Sequence, residues 1–187
     1  MSRISKPARL CALFIAALFF NFLFSSAVWA YDSAEAFMSA TFGLSLARTQ
    51  TRMENSGAVQ IGSVRDGRLT MRGTFERRSA IFVFGFHARR GLNHKAVYIA
   101  SSGNAESDRA LYDAFRAAYN ARFGTTPDRA IQSRTTRGRI MQQSSWTPNR
   151  YTMIALSYDP EITNRFPSDS PRDRPIRLIY NYTRWTQ

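Results

Sequence analysis

The amino-acid sequence predicts an α+β fold in which two units, each of helix plus antiparallel strands, share one antiparallel sheet. Three observations carry this prediction: a two-residue hairpin turn, a strand that is apolar on both faces, and a long amphipathic helix in mid-chain. The 187 residues suit one domain, and 44% apolar and 13% aromatic residues exclude a disordered or fibrous protein. One cysteine cannot form an internal disulfide, which excludes a disulfide scaffold.

Residues 1–30 have the pattern of a cleavable secretory signal peptide. Met1–Arg9 is short and basic, and Leu10–Phe24 is almost wholly apolar. Small residues then stand at the positions that a signal peptidase reads, in the stretch Ser25-Ser26-Ala27-Val28-Trp29-Ala30. An uncleaved anchor is the alternative, because the apolar stretch is long enough to cross a bilayer. We expect cleavage, and therefore a periplasmic or secreted chain of residues 31–187 with no cysteine and no transmembrane segment.

The first unit, residues 31–103, is predicted to begin with two short helices. Asp32 or Ser33 can cap the first helix, and Ser45 can cap the second. Extended runs then flank Asp66-Gly67. A two-residue Asp-Gly between such runs is a strong hairpin signal, because both turn positions need a positive φ.

The centre of the sheet is predicted where the chain is apolar on both faces. Ile81–Phe86 has this composition and is expected to be a central strand. Arg89-Arg90-Gly91 then turns the chain into a neighbouring strand, His94–Ala100. The two strands therefore form a second hairpin.

The second unit, residues 104–187, opens with the clearest helix of the sequence. Asn104 or Ser107 can cap it, and Gly124 can end it. Its apolar residues recur at helical spacing on one face. They are Leu111, Phe115, Ala118 and Tyr119.

The rest of the second unit is predicted to be one short helix and three strands. Thr126-Pro127 can start a helix that runs through Ile131, since proline is tolerated in the first turn. Pro148-Asn149 is expected to turn the first strand into the second, and a proline-rich loop, Asp159–Arg174, precedes the third. The predicted strands are Arg139–Trp146, Tyr151–Tyr158 and Ile176–Tyr182.

A short repeat suggests that the two units arose by duplication. Ala40-Thr41-Phe42-Gly43-Leu44-Ser45 aligns with Ala121-Arg122-Phe123-Gly124-Thr125-Thr126, which lies 81 residues later. Each copy is followed by a predicted short helix and then by strands. The order helix, helix, strands would thus occur twice.

This order resembles the β-lactamase-inhibitor-protein fold and the small lipoprotein of the outer-membrane assembly machinery. In those families a Gly-x-Ser/Thr step opens the second helix, matched here by Gly43-x-Ser45 and Gly124-x-Thr126. The resemblance would cover most of Ser33–Tyr182. The chain departs from it in lacking the inhibitors' disulfides and a lipobox. Because those families bind proteins and catalyse nothing, the resemblance implies an interaction role.

Arginine is the compositional anomaly of the chain. Arg3, Lys6 and Arg9 are three of the 26 basic residues, so 23 basic residues oppose 13 acidic ones after residue 30. Of these, 22 are arginine and one is lysine. A genome rich in G and C would produce the same bias without any function. Binding is the other explanation, since guanidinium groups bind carboxylates and phosphates through two parallel hydrogen bonds.

Four arginines beside predicted turns are the candidate contacts for a partner. Arg65 and Arg68 flank Asp66-Gly67 and are expected to face each other across the hairpin. Like charges directly opposite are destabilising, so Asp66 or an external anion must relieve them. Arg89 and Arg90 lie in the next hairpin turn.

The two histidines, His87 and His94, are expected to be cross-strand neighbours beside that second turn. Together they could serve as acid and base in a secreted phosphodiester hydrolase, but nothing in their spacing requires it. Zinc needs at least a third protein ligand, so we expect no metal. Ser101-Ser102-Gly103 stands where nucleophiles occur, yet it is equally a helix-capping loop. The sequence contains no phosphate-binding glycine loop or dinucleotide fingerprint.

The sequence therefore predicts a binding protein of the bacterial cell envelope without catalytic activity or cofactor. Arg65, Arg68, Arg89 and Arg90 are expected to contact an acidic protein or an anionic envelope component. Nucleic acid is not an expected partner, because no aromatic RNA-binding strand motif is present. Two alternatives remain open at this point. One is the phosphodiester hydrolase, or nuclease, that uses His87 and His94, and the other is a structural envelope protein whose arginines reflect codon usage.

Overall fold

Antiparallel strands form one sheet, and helices pack against one of its faces. The computed structural model describes residues 32–126, 129–132, 140–163 and 168–185. The predicted signal peptide, Met1–Ala30, lies outside these residues. The helices are α1 (Ala34–Ser39), α2 (Leu46–Asn55) and α3 (Ala105–Phe123). The strands are β1 (Val59–Gln60), β2 (Arg68–Phe75), β3 (Arg78–His87), β4 (Gly91–Ile99), β5 (Arg129–Gln132), β6 (Ile140–Asn149), β7 (Thr152–Tyr158) and β8 (Ile176–Tyr182).

The strand order is β1-β2-β3-β4-β8-β7-β6-β5, and all neighbours are antiparallel. Strands β4 and β8 meet in the middle, with His94 opposite Asn181 and Ile99 opposite Ile176. The predicted α+β class with a single antiparallel sheet is therefore confirmed, although strands make up more of the structure than helices. Strands β2 and β3, β3 and β4, and β6 and β7 are direct neighbours in the sheet, and a short turn connects each pair.

The hairpin that the Asp-Gly pair predicts is present. Asp66 has a φ of 50° and Gly67 a φ of 68°, as both turn positions require. The amide of Arg68 donates to the carbonyl of Arg65 at 2.7 Å, and the reverse bond measures 3.2 Å. The two arginines thus face each other across the turn.

Side-chain caps also fix the predicted helix starts. Ser45 Oγ accepts a hydrogen bond from the amide of Arg48 at the start of α2. Asn104 Oδ1 accepts one from the amide of Ser107 at the start of α3, at 3.0 Å. Such caps satisfy amides that have no partner inside the helix.

Two local predictions in the second half of the chain are wrong. Thr126-Pro127 does not lead into a helix through Ile131, because Arg129–Gln132 forms strand β5. The segment instead forms backbone hydrogen bonds with β6. A local preference for helix is weak, and pairing with a neighbouring strand overrides it.

The turn predicted at Pro148-Asn149 lies two residues later, at Arg150-Tyr151. Strand β6 runs through Asn149, and its register with β7 shifts between Trp146 and Asn149. This irregularity accommodates Pro148, which has no amide to donate. Asn149 Oδ1 then accepts a hydrogen bond from the amide of Tyr151 at 2.9 Å, and this closes the turn.

The hydrophobic core lies between the helices and one face of the sheet. Phe37 of α1 is fully buried, and its ring lies 5.5 Å from that of Phe82 and 5.9 Å from that of Phe84. Tyr112 and Tyr119 of α3 reach the same core from the other half of the sheet. A single core therefore spans both halves.

The buried ammonium of Lys95 fastens helix α1 to the sheet. Lys95 lies on β4, is 5% exposed, and donates to the carbonyls of Phe37 at 2.9 Å, Met38 at 3.0 Å and Ala40 at 2.9 Å. Its Nζ also lies 5.0 Å from the ring centre of Phe37 and 4.8 Å from that of Tyr180. These contacts satisfy carbonyls at and just after the end of α1, of which that of Phe37 also accepts a hydrogen bond from the amide of Ala40. Burial lowers the pKa of Lys95 to about 8.

We predict that Gly91→Ala destabilises the protein more than Gly62→Ala. Both glycines have a positive φ, of 77° and 66°, so each substitution costs about 1–2 kcal/mol of backbone strain. A Cβ at Gly91 would also lie 2.5 Å from the carbonyl oxygen of Gly43, whereas nothing lies within 4 Å at Gly62. The clash adds about 1–3 kcal/mol. Urea unfolding measures the difference, and equal costs would contradict the packing described.

The low pKa of Lys95 predicts a pH dependence of stability. The folded protein releases this proton near pH 8 and the unfolded chain near 10.5, so between these values the unfolded state binds more protons. The free energy of unfolding attributable to Lys95 therefore rises with pH in that window. We expect the difference in unfolding free energy between wild type and Lys95→Met to increase from pH 8 to pH 9.5. A difference that stays constant would mean that the folded state does not perturb Lys95.

Candidate functional site

The four arginines singled out by the sequence lie together at one end of the sheet. Arg65 and Arg68 bracket the turn that enters β2, while Arg89 and Arg90 lie in the turn between β3 and β4. Antiparallel pairing places both turns at the same end, and the amide of Phe86 donates to the carbonyl of Gly67 at 2.8 Å. We call this region the arginine end.

Two further arginines, Arg150 and Arg184, belong to the arginine end. Arg150 lies in the turn between β6 and β7, and Arg184 follows β8. The amide of Thr183 donates to the carbonyl of Tyr151 at 2.8 Å, which joins the two segments. The guanidinium carbons of Arg150 and Arg184 lie 4.6 and 5.2 Å from the ring centre of Tyr151. Both contacts are in the range of cation–π attraction. Sequence reasoning missed Arg150 because it placed this turn at Pro148-Asn149.

Charge is unevenly distributed between the two ends of the sheet. In the described turns of the arginine end the acidic residue is Asp66, and the arginines are Arg65, Arg68, Arg89, Arg90, Arg150 and Arg184. The loops at the opposite end and the first turn of α3 contain both signs. Their acidic residues are Glu76, Glu106, Asp108, Asp159, Glu161, Asp169 and Asp173.

Ion pairs compensate charge at the opposite end of the sheet. Arg72 lies 3.2 Å from Asp169, and Arg78 lies 2.5 Å from Asp108. Across the described ranges, neither Arg65 nor Arg68 approaches a carboxylate within 4 Å. Asp66 thus forms no ion pair with the two arginines that it separates in sequence. Their repulsion is left for an external anion or solvent to screen.

Arg65 and Arg68 line a depression of about 680 Å³ beside the hairpin. Arg65 Nε donates to Ser63 Oγ at 3.3 Å, which orients one guanidinium. Asn93 and His94 form the opposite side of the depression. Solvent reaches both arginines, so their donors can meet an incoming anion.

Arg89 and Arg90 lie beside a second depression of about 480 Å³, which adjoins the first at Gly67 and Phe86. Their backbone is held by His87, whose Nδ1 accepts from the amide of Arg89 at 3.2 Å and whose carbonyl accepts from the amide of Arg90 at 3.2 Å. Both side chains are exposed. The four predicted contact residues therefore share one end of the sheet but line two neighbouring depressions.

His87 and His94 lie on the paired strands β3 and β4, as predicted, but they are not directly opposite each other. The register pairs His87 with Gly91, and pairs His94 with Gly85 and Asn181. A register shift between Gly85 and Phe86 separates the two pairs. The histidines line two adjoining depressions, which share Gly67 and Phe86.

His94 is half-buried and already engaged. Its Nδ1 lies 2.6 Å from Asn181 Oδ1. Burial lowers the pKa of His94, the hydrogen bond to Asn181 raises it, and the positive charge of Arg68 lowers it further. The net effect is a pKa below the ordinary value of histidine, so the positively charged form of the ring is disfavoured.

Ser101 and Ser102 belong to a capping network rather than to an accessible nucleophile site. Asp108 is 1% exposed and accepts hydrogen bonds from the hydroxyl of Ser101 and from the amide and hydroxyl of Ser102, the latter two at 2.8 Å. Arg78 pairs with the same carboxylate. This network joins β3, the loop after β4 and the first turn of α3.

Within the described ranges, no group of three His, Cys, Asp or Glu side chains could hold a metal ion. Over those same ranges, no helix is long and apolar enough to cross a membrane.

Comparison of the chain with protein-family models, with curated proteins and with solved structures gives no match. The site is accordingly defined by its own geometry.

We predict that Arg68→Gln raises the pKa of His94, because the substitution removes a positive charge that opposes protonation of the ring. An NMR titration of the ring protons measures the change. Arg77→Gln removes the same charge from the opposite end of the sheet and is the control. An equal response to both substitutions would show that His94 senses only net charge.

Proposed function

We propose that the protein is an exported, non-enzymatic binding protein of the bacterial cell envelope. Its arginine end binds an acidic protein or an anionic envelope component through Arg65, Arg68, Arg89 and Arg90. The observation that carries this proposal is the concentration of arginines at one end of the sheet, where the described turns provide a single carboxylate.

Guanidinium groups that form no ion pair within the described ranges favour binding over a purely structural role. A guanidinium forms two parallel hydrogen bonds with a carboxylate or phosphate. At the opposite end such donors are used internally, by Asp169 and Asp108. An anion bound at the arginine end would also relieve the repulsion between Arg65 and Arg68.

The two-unit origin and the family resemblance belong to the same proposal. Three strands lie on each side of the central β4–β8 pair, so each half of the sheet has four strands, which supports a duplication. Gly43 has a φ of 93° and Ser45 caps α2, as the resemblance implies for the first copy. The second copy differs, since Gly124-x-Thr126 is followed by strand β5 instead of a helix.

The phosphodiester hydrolase is the alternative, and the positions of His87 and His94 do not favour it. General acid–base catalysis needs both groups within reach of one phosphate. The two rings are not directly opposite each other across β3 and β4, and Asn181 engages one nitrogen of His94. We therefore expect the His87→Ala/His94→Ala variant to bind as wild type does. If wild type hydrolyses a model phosphodiester and this variant does not, the proposal is contradicted.

We predict that the purified protein captures an anionic component from envelope extract, and that Arg89→Gln/Arg90→Gln reduces this capture several-fold. Arg77→Gln/Arg122→Gln removes the same charge elsewhere and is the matched control. Washing at low salt and again near 0.5 M salt, where the Debye length is about 4 Å, separates specific from general electrostatic retention. Equal capture by both variants, or no capture by wild type, would contradict a site at the arginine end.

A further inference from the structure

A trough crosses the face of the sheet that points away from the helices. Alternate residues of β2, β3, β4 and β8 form three cross-strand rows on this face. The rows are Arg68–Gly85–His94–Asn181, Thr70–Val83–Ala96–Ile179 and Arg72–Ile81–Tyr98–Arg177. The middle row is largely apolar and small, whereas each outer row contains arginine.

Two adjoining depressions make up this trough. One, of about 680 Å³, begins at the Asp66-Gly67 turn, and the other, of about 620 Å³, ends against the loop that contains Pro171. They share Arg68 and Thr70, so the trough is continuous. Its outer rows are four residues apart along each strand, which corresponds to about 13 Å.

Positive charge is placed at both ends of the trough. Arg65 and Arg68 line the end beside the hairpin, and Arg172 and Arg177 line the far end. Two carboxylates also line it, Asp66 and Asp169. Asp169 is held by Arg72 at 3.2 Å. The trough therefore keeps an excess of positive charge along its length.

Thr70, Val83 and Tyr98 line the trough between its two charged ends. Thr70 and Tyr98 are partly exposed and Val83 is 2% exposed, whereas Ala96 is fully buried and lines neither depression. At the near end a Cβ on Gly85 would lie 3.1 Å from the Cβ of His94, so a larger residue there would crowd the histidine. Ile61 and Pro171 also line the trough.

We infer that this trough binds an elongated organic anion with a phosphate or carboxylate group near each end and an uncharged middle. The inference rests on the proposed function, since Arg65 and Arg68 belong to both. The inference adds Arg172 and Arg177, which lie outside the arginine end, to the residues that bind the ligand. Each end supplies guanidinium donors, and Thr70 and Val83 of the middle row line the space in which the body of the ligand would lie.

Calorimetry with defined phosphonates tests the two-ended site. The probes are decane bisphosphonate, which is long enough to reach both ends, butane bisphosphonate, which is too short, and decyl monophosphonate, which has one charged end. A charge-assisted hydrogen-bonded contact contributes about 1.5–3 kcal/mol, so we expect the long bisphosphonate to bind about tenfold more tightly than either of the others.

Single substitutions at the two ends complete the test. Arg68→Gln and Arg172→Gln are each expected to weaken binding of decane bisphosphonate about tenfold and to abolish its advantage over decyl monophosphonate. Both side chains are exposed, so the fold tolerates the changes. Arg77→Gln, outside the trough, is expected to bind like wild type.

Equal affinities for the three probes would overturn the inference, and so would an Arg172→Gln variant that keeps the full length preference. If the length preference is absent but capture from envelope extract still depends on Arg89 and Arg90, the proposed function stands without the trough. If that capture is also absent, the proposed function is contradicted as well.

Discussion

The burial of the Lys95 ammonium is the interaction on which the arrangement of the first half of the chain depends. By accepting its three hydrogen bonds, the carbonyls of Phe37, Met38 and Ala40 hold the end of α1 above the centre of the sheet. The segment that follows α1 then binds strand β4, where Gly43 donates to the carbonyl of Leu92. Leu92 is next to Gly91, so this hydrogen bond holds the turn between β3 and β4 against the segment that follows α1.

Antiparallel connectivity converts a sequence with scattered arginines into a molecule with one strongly basic end. Alternate turns of an antiparallel sheet lie at the same end, so Arg68, Arg89 and Arg150 come to one end of the sheet although they are far apart in sequence. At the other end Asp108 and Asp169 neutralise arginines internally. Uncompensated like charge costs stability, and a binding site is a physical reason to retain it.

Local chemistry allowed much of the fold to be predicted from the sequence. The Asp66-Gly67 turn and the Asn104 cap depend on adjacent residues and were predictable, whereas β5 depends on its partner strand and was not. The same distinction applies to the site. Arg65 and Arg68 were predictable because one turn separates them. The trough was not, since Arg177 reaches it only through the pairing of β4 with β8.

The most direct test of recognition by arginine compares wild type with a variant in which Arg65, Arg68, Arg89 and Arg90 are all replaced by lysine. Net charge is unchanged, but the planar fork that binds carboxylate or phosphate is lost. The quantity to measure is the affinity for the captured envelope component at physiological salt. Our account predicts a clear loss of affinity. An unchanged affinity would show that charge alone attracts the component and would contradict a site built for bidentate recognition.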